Sequence, residues 1–134
     1  MNKIVVVLRD DLPPAHAANA AVVLGLALGG RLTDSVAAAS PDASGALHAG
    51  LNPIPVPTLV ASAEQLRDLH HEASAVEDAV VVGFNEVARR SRTYPDYVDA
   101  LATTEPADID YVGVIVVGPR STVTKLTKRL ALLS

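Results

Sequence analysis

The sequence predicts a three-layer α/β/α sandwich with a four-stranded sheet, and three observations lead there. Four short runs dense in Val, Ile and Leu alternate with helix-like segments, the pattern of a sheet covered by helices. Hydrophobic residues make up 49% of the chain and aromatics only 3%, so the core has to be aliphatic. The length, 134 residues, suits one domain spanning 1–134, with no linker or repeat to divide it.

Lys3 to Leu8 is an unbroken apolar run, as in a strand buried on both faces. Asp10-Asp11-Leu12-Pro13-Pro14 then reads as a helix start, with Asp as cap and proline in the first turn. The helix, Pro13 to Leu28, is apolar nearly all round and stops at Gly29-Gly30. Without a polar face it is expected to be buried, between the sheet and a partner surface. Residues 31–52 are irregular and long for a structureless connection, which marks them as functional or partly ordered. Ile54 to Ala61 reads as a strand, ragged at its start or lying at the sheet edge because Pro55 and Pro57 cannot donate to a ladder.

Ser62 and Gln65 form a capping box for a second helix whose inner face carries Leu66, Leu69, His70 and Ala73. Asp78 to Phe84 and Tyr111 to Val117 are the third and fourth strands, separated by short helical pieces. Gly118-Pro119 turns the chain into a last helix with Val123, Leu126, Leu130 and Leu133 on one face. Lys125, Lys128 and Arg129 occupy its other face, near the negative end of the helix dipole.

Composition narrows function mainly by exclusion. The net charge of −4 is scattered, whereas proteins that grip nucleic acid through phosphates usually show a basic face. There is no cysteine, so neither a disulfide framework nor a thiolate metal site can form. Ala17 to Leu28, the longest mostly apolar run, falls short of the ~20 residues that span a bilayer. The N-terminus has no signal-peptide pattern, and the expected location is cytoplasmic. No phosphate loop, dinucleotide fingerprint or nucleophile elbow is present, and no cofactor or metal is expected.

Ligands of parallel α/β sheets bind beyond the carboxyl ends of the strands, which directs attention to Asp10 and Asp11 after the first strand and to Asn85 and Glu86 after the third. Asn19, in mid-helix among apolar residues, reads as a buried amide that either orients a ligand or bonds a loop carbonyl. His16, one turn nearer the helix start, is a candidate general base or a solvated side chain. Asp42 and His48 would make an acid–base pair if the irregular stretch brought them together, the simpler role for Asp42 being a turn former. Arg89, Arg90 and Arg92 beside Tyr94 form the one basic cluster with an adjacent aromatic, suited to an anionic ligand or merely solvated. Arg120 and Ser121 open the last helix, where free backbone N–H groups make a generic anion site.

The segments IVVVLRDDLPPAHAANAA, DASGALHAGLNPIPV and YVGVIVVGPRSTVTKLTKRL together resemble the domain-of-unknown-function family 2000. That family is similar in fold to type II peptidyl-tRNA hydrolases. The resemblance implies a mixed four-stranded sheet whose fourth strand is antiparallel. Arg9, Asp11 and Leu12 match the R-x-D-L opening of those hydrolases, while the two lysine positions of their first turn are held here by His16 and Ala18. The implied activity is hydrolysis of an acyl ester or amide, on a small substrate or one attached to a nucleotide or tRNA. Asn19 and Arg9 would hold an oxyanion or carbonyl, and His48 or Asp11 would handle the proton. Read from the residues themselves, the ligand-contacting candidates are His16, Asp42, Asn85, Arg89, Arg120 and Ser121, an anionic ligand being one possibility. The rival expectation is a small-ligand or partner-binding domain that keeps the fold without the lysine chemistry. A homodimer is expected through the first helix and the strand edge near Pro55.

Overall fold

A computed structural model describes residues 2–134. In chain order its elements are β1 (Asn2–Arg9), α1 (Pro14–Gly29), β2 (Ser40–Pro41), β3 (Leu47–His48), β4 (Thr58–Ala61), α2 (Ala63–Ser74) and β5 (Val80–Asn85). They are followed by α3 (Glu86–Arg90), α4 (Tyr94–Ala102), a 3-10 turn (Pro106–Asp108), β6 (Tyr111–Pro119), α5 (Arg120–Thr127) and β7 (Ala131–Leu132). The main sheet has five strands in the order β5-β6-β1-β4-β7, and β2 and β3 form a separate two-stranded sheet. β1 runs parallel to β4, and β6 is antiparallel to both β1 and β5. β7 is antiparallel to β4.

Alternation along β1 divides the core into two. Val5 and Val7 pack with Leu66, Leu69 and Ala73 of α2 and Val123 of α5. Ile4, Val6 and Leu8 face the other way, onto Ala20, Leu24 and Leu28 of α1. All five are buried, which is why this segment reads as a continuous apolar run rather than an alternating one. Helices therefore cover both faces, and the three-layer expectation holds.

The strand count does not. The fifth strand, β7, comes from residues that the spacing of Leu130 and Leu133 assigns to the last helix. That helix stops at Thr127. Leu130 N donates to Thr127 O in a turn, and Leu133 N then donates to Thr58 O beside β4. An apolar tail at spacings of three and four fits either outcome. Pairing with β7 satisfies backbone groups on the edge of β4 that a further helical turn would leave unpaired. The same contact corrects the placement of β4, which is flanked by β1 and β7. Its ragged start holds, because pairing begins only after Pro55 and Pro57, at Thr58.

Local signals at the helix ends fare unevenly. Ser62 Oγ accepts from Gln65 N at 3.1 Å and Gln65 Oε1 accepts from Ser62 N at 2.9 Å, the full capping box. α1 has no Asp cap: Pro13 takes the N-cap position without a side-chain hydrogen bond. Within the single chain α1 is not buried all round. Leu24 is fully buried, while Leu26 is 75% exposed, so the helix has one apolar face in the core and another turned outward.

This asymmetry gives a direct test. Leu24→Ala is expected to lower unfolding stability by about 2–5 kcal/mol, as large-to-small core changes do. Leu26→Ala, two residues away, is expected to stay within about 0.5 kcal/mol in the monomer. Urea unfolding of both variants measures the difference.

Candidate functional site

The parallel strands β1, β4 and β5 all end at the same side of the sheet, and β6 begins there. What stands at that end is an ionic lock built around Glu86. Glu86 is only 8% exposed, at the first position of α3. Its Oε2 accepts from Arg89 Nε at 2.9 Å and lies 2.7 Å from Arg89 Nη2 and 3.4 Å from Arg90 Nε. Oε1 lies 3.0 Å from Arg9 Nη1, without the alignment of a directed hydrogen bond. Arg9 turns its Nε to Asp11 Oδ1 at 2.6 Å. Two of the residues singled out for catalysis, Arg9 and Asp11, thus do meet. The Arg9 guanidinium is tied to carboxylates on both sides, and the Asp11 side chain is 66% exposed.

Asn85 and Arg89, expected to contact ligand, are employed structurally. Asn85 Oδ1 accepts from Ala88 N at 2.9 Å and caps α3, and its Nδ2 lies 3.5 Å from the Tyr97 hydroxyl. Arg89 and Arg90 are spent on Glu86. The Arg89 guanidinium, followed by Arg9, holds the Glu86 carboxyl below its ordinary range despite the cost of burial. The sequence marks Glu86 as lying beyond the third strand but assigns it no role. The available signal was its position directly after an apolar strand, with arginines three and four residues on.

The other candidates are scattered. Asn19 is exposed, so the expectation of a buried amide is wrong: it falls on the outward side of α1. His16 is exposed in the first turn of the same helix. Arg120 and Ser121 begin α5 at the opposite end of the sheet, since Pro119 pairs with Asn2. Arg9 lies at the far end of β1 from Asn2, about 23 Å away at strand rise. One ligand-sized site cannot contain both groups.

Asp42 and His48 do meet, with Oδ2 and Nε2 2.8 Å apart. They do so in an exposed hairpin formed by β2 and β3. Asp42 Oδ1 also accepts from Ser44 Oγ at 2.6 Å and Ser44 N at 2.8 Å. Gly45 completes the turn at φ 88°, a conformation that favours glycine. Hydrogen bonds from the Ser44 side chain, from His48 and from the Ser44 backbone lower the Asp42 pKa to about 2. Both roles weighed for Asp42 are thus present: it forms the turn and it contacts the imidazole.

A concave site lies beside the carboxyl half of β5. A cavity of about 470 Å³ is enclosed by the second half of α1, the outer side of β5 and the α3–α4 connection. Leu24, Val82 and Phe84 contribute apolar walls, Tyr94 and Tyr97 aromatic ones, and Arg31 and Arg92 the only charges. The two tyrosine rings meet edge to face with centroids 5.5 Å apart. Arg31 Nη1 donates to Ala27 O at 2.7 Å. Neither arginine has a carboxylate partner among the described residues, and no acidic side chain lines the cavity. Of this set, only Arg92 and Tyr94 were legible as candidates. Arg31 sits just past the Gly29-Gly30 stop and Tyr97 within α4, with no motif to connect them.

Acid titration separates the lock from the hairpin. A carboxyl with a lowered folded pKa adds stability above its unfolded pKa and loses it as pH falls through the folded value. Glu86→Gln is therefore expected to cost about 1–3 kcal/mol near neutral pH, from the arginine donors left poorly matched. It should also flatten the loss of stability below about pH 4.5. Urea unfolding across pH reads both effects. Independently, NMR titration of the Asp42 carboxyl carbon should give a midpoint of about 2. A midpoint at the ordinary value for aspartate would mean that the hairpin turn is not held in solution.

Comparison with known proteins places this geometry in a family. A search of curated proteins finds no match. A solved structure of a protein of unknown function from Agrobacterium tumefaciens strain C58 superposes with a TM-score of 0.89 at 21% identity, covering 99% of this chain and 98% of that one. Identity at that level carries the fold alone. The family model described as "Protein of unknown function (DUF2000)" matches residues 2–134, and the chain belongs to that family.

Proposed function

We propose that this chain binds a small anionic ligand with an apolar or aromatic body in the cavity between α1, β5 and α4. The observation that carries the reading is the charge of that cavity: Arg31 and Arg92 line it, and no acidic side chain does. Guanidinium groups recognise carboxylate or phosphate through paired N–H donors. Val82, Phe84 and the two tyrosines offer the complementary surface for an acyl chain or flat ring. An apolar cleft with a few convergent polar groups is the usual form of a small-molecule site. Its position near the carboxyl end of β5 also agrees with where open α/β sheets take their ligands.

A second reading is hydrolysis of an acyl ester or amide, on a small substrate or a tRNA-linked one. One feature favours it: Arg9 and Asp11, which match the opening of type II peptidyl-tRNA hydrolases, are joined at the carboxyl end of β1 with the Asp11 carboxylate open to solvent. In that reading Asp11 takes a proton from the water that attacks the acyl carbon and returns it to the departing oxygen or nitrogen as the ester or amide bond breaks, with Arg9 orienting the carboxylate. Asn19 and His48 take no part: Asn19 faces outward from α1, and His48 belongs to the separate hairpin sheet. Binding is the stronger reading because the Arg9 guanidinium is already engaged by Asp11 and Glu86, whereas Arg31 and Arg92 have no carboxylate partner among the described residues.

Thermal unfolding with adenosine monophosphate and with N-acetylphenylalanine as probes tests the proposal. Ligand at 100 times its Kd should stabilise the folded state by about 2.7 kcal/mol. Arg92→Ala should abolish that shift while leaving the unliganded melting temperature unchanged. Stabilisation that survives both Arg92→Ala and Arg31→Ala would overturn the site. Release of N-acetylated amino acid from aminoacyl-tRNA, lost in Asp11→Asn, would establish the hydrolase reading instead.

A further inference from the structure

The segment from Val36 to Pro53 is an arm that buries almost nothing on its own chain. Ala37 N donates to Leu51 O at 2.9 Å, Ser40 and Pro41 pair with His48 and Leu47, and Asp42 N donates to Ala46 O at 2.9 Å. The two strands approach so closely at the root that a Cβ on Gly50 would fall 1.6 Å from Ala37 O. This is a built hairpin, with glycine required at 45 and 50. Yet every residue from Val36 to Ala49 is exposed, and β2 and β3 pair only with each other. An isolated two-stranded hairpin is marginal in water. Leu47 and Leu51, 72% and 79% exposed, give this one apolar surface that its own domain does not cover.

A matching surface lies on the same molecule. Val22 and Leu26 project from the outward face of α1, a helix without a single Asp, Glu, Lys or Arg. Beside them runs a groove of about 550 Å³ between the end of α1 and the arm's root, lined by Gly25, Leu26, Gly29, Val36 and Val56 among others, with no charged side chain. The arm departs from the rim of this groove, since Val36 and Asn52 belong to both. Its formal charge is confined to Asp42, already held by Ser44 and His48.

The geometry points to a second copy of this chain as the occupant, each arm lying across the α1 face and groove of its partner. Two surfaces nearly free of charge, one protruding and one recessed, occur once per chain. A twofold pairing covers both on both copies and closes, leaving neither for further growth. A different partner that filled the groove would leave the arm uncovered. The size also fits: the arm supplies 18 residues and the α1 face the remainder of the about 20–30 that one side of a standard interface contributes. The exposed prolines near 55 lie at the arm's root rather than on a free sheet edge, so the contact runs through the arm and helix.

Sedimentation equilibrium of the full chain tests this. The expected mass is twice the 13.9 kDa of one chain. Leu47→Asp on the arm and Leu26→Asp on α1 are each expected to raise the dimer dissociation constant by about 30-fold or more, the loss typical of a central interface residue. Both side chains are exposed in the single chain, so circular dichroism should be unchanged. A further variant with residues 39–49 replaced by two glycines should be a folded monomer. A wild-type monomer at every concentration, including one that binds some other macromolecule, would overturn the inference, and so would a dimer that survives either aspartate substitution.

Discussion

The burial of β1 on both faces is the constraint on which the rest of the structure depends. It sits between β6 and β4, and its side chains from Ile4 to Leu8 are all buried, alternately against α1 and against α2 and α5. A strand so placed cannot slip by one residue without exchanging its two packing faces. Its register fixes where it ends, and therefore where Arg9 stands. From there the chain has one acidic partner on each side, Asp11 in the following turn and Glu86 at the start of α3. The core thus decides the geometry of the polar end of the sheet.

Glu86 shows how that end is used. A carboxylate at the first turn of a helix is favoured by the helix dipole, and here it also gathers arginines from β1 and α3. Removing such a group from water is costly unless the compensating hydrogen bonds are good. The Arg89 contact on Oε2 provides them, while Arg9 compensates Oε1 by charge more than by alignment. The outcome is a rigid junction between β1 and α3 rather than an open site. Arg92 and Arg31 stand outside the reach of Glu86, and both line the adjacent cavity.

How much of this was legible in the sequence varies with the range of the interaction. Runs such as Lys3–Leu8 and the Ser62–Gln65 pair declare themselves because their causes are local: β-branched burial in one, a side-chain bond three residues long in the other. β7 was not legible, because Ala131 and Leu132 become a strand only through the edge that β4 offers at Leu59 and Val60, far away in the sequence. Asn19 misled for a related reason. An apolar helix reads as buried all round, but only Ala20, Leu24 and Leu28 are. The opposite face is apolar without being covered by its own domain. Asp42 and His48 were legible as residues and not as a pair, since turn geometry rather than spacing brings them to 2.8 Å. The cavity's Arg31 and Tyr97 belong to different helical regions and are joined only by the fold.

The central claim is that the anion-recognising cations of this chain are Arg31 and Arg92, while Arg9 and Arg89 are locked internally by carboxylates. Titration of adenosine monophosphate into the protein, followed by NMR at the arginine Nε–H groups, tests it most directly. The account predicts saturable shifts at Arg31 and Arg92, with Arg9 and Arg89 unmoved. Shifts centred on Arg9 and Arg89, or none at any arginine, would contradict it.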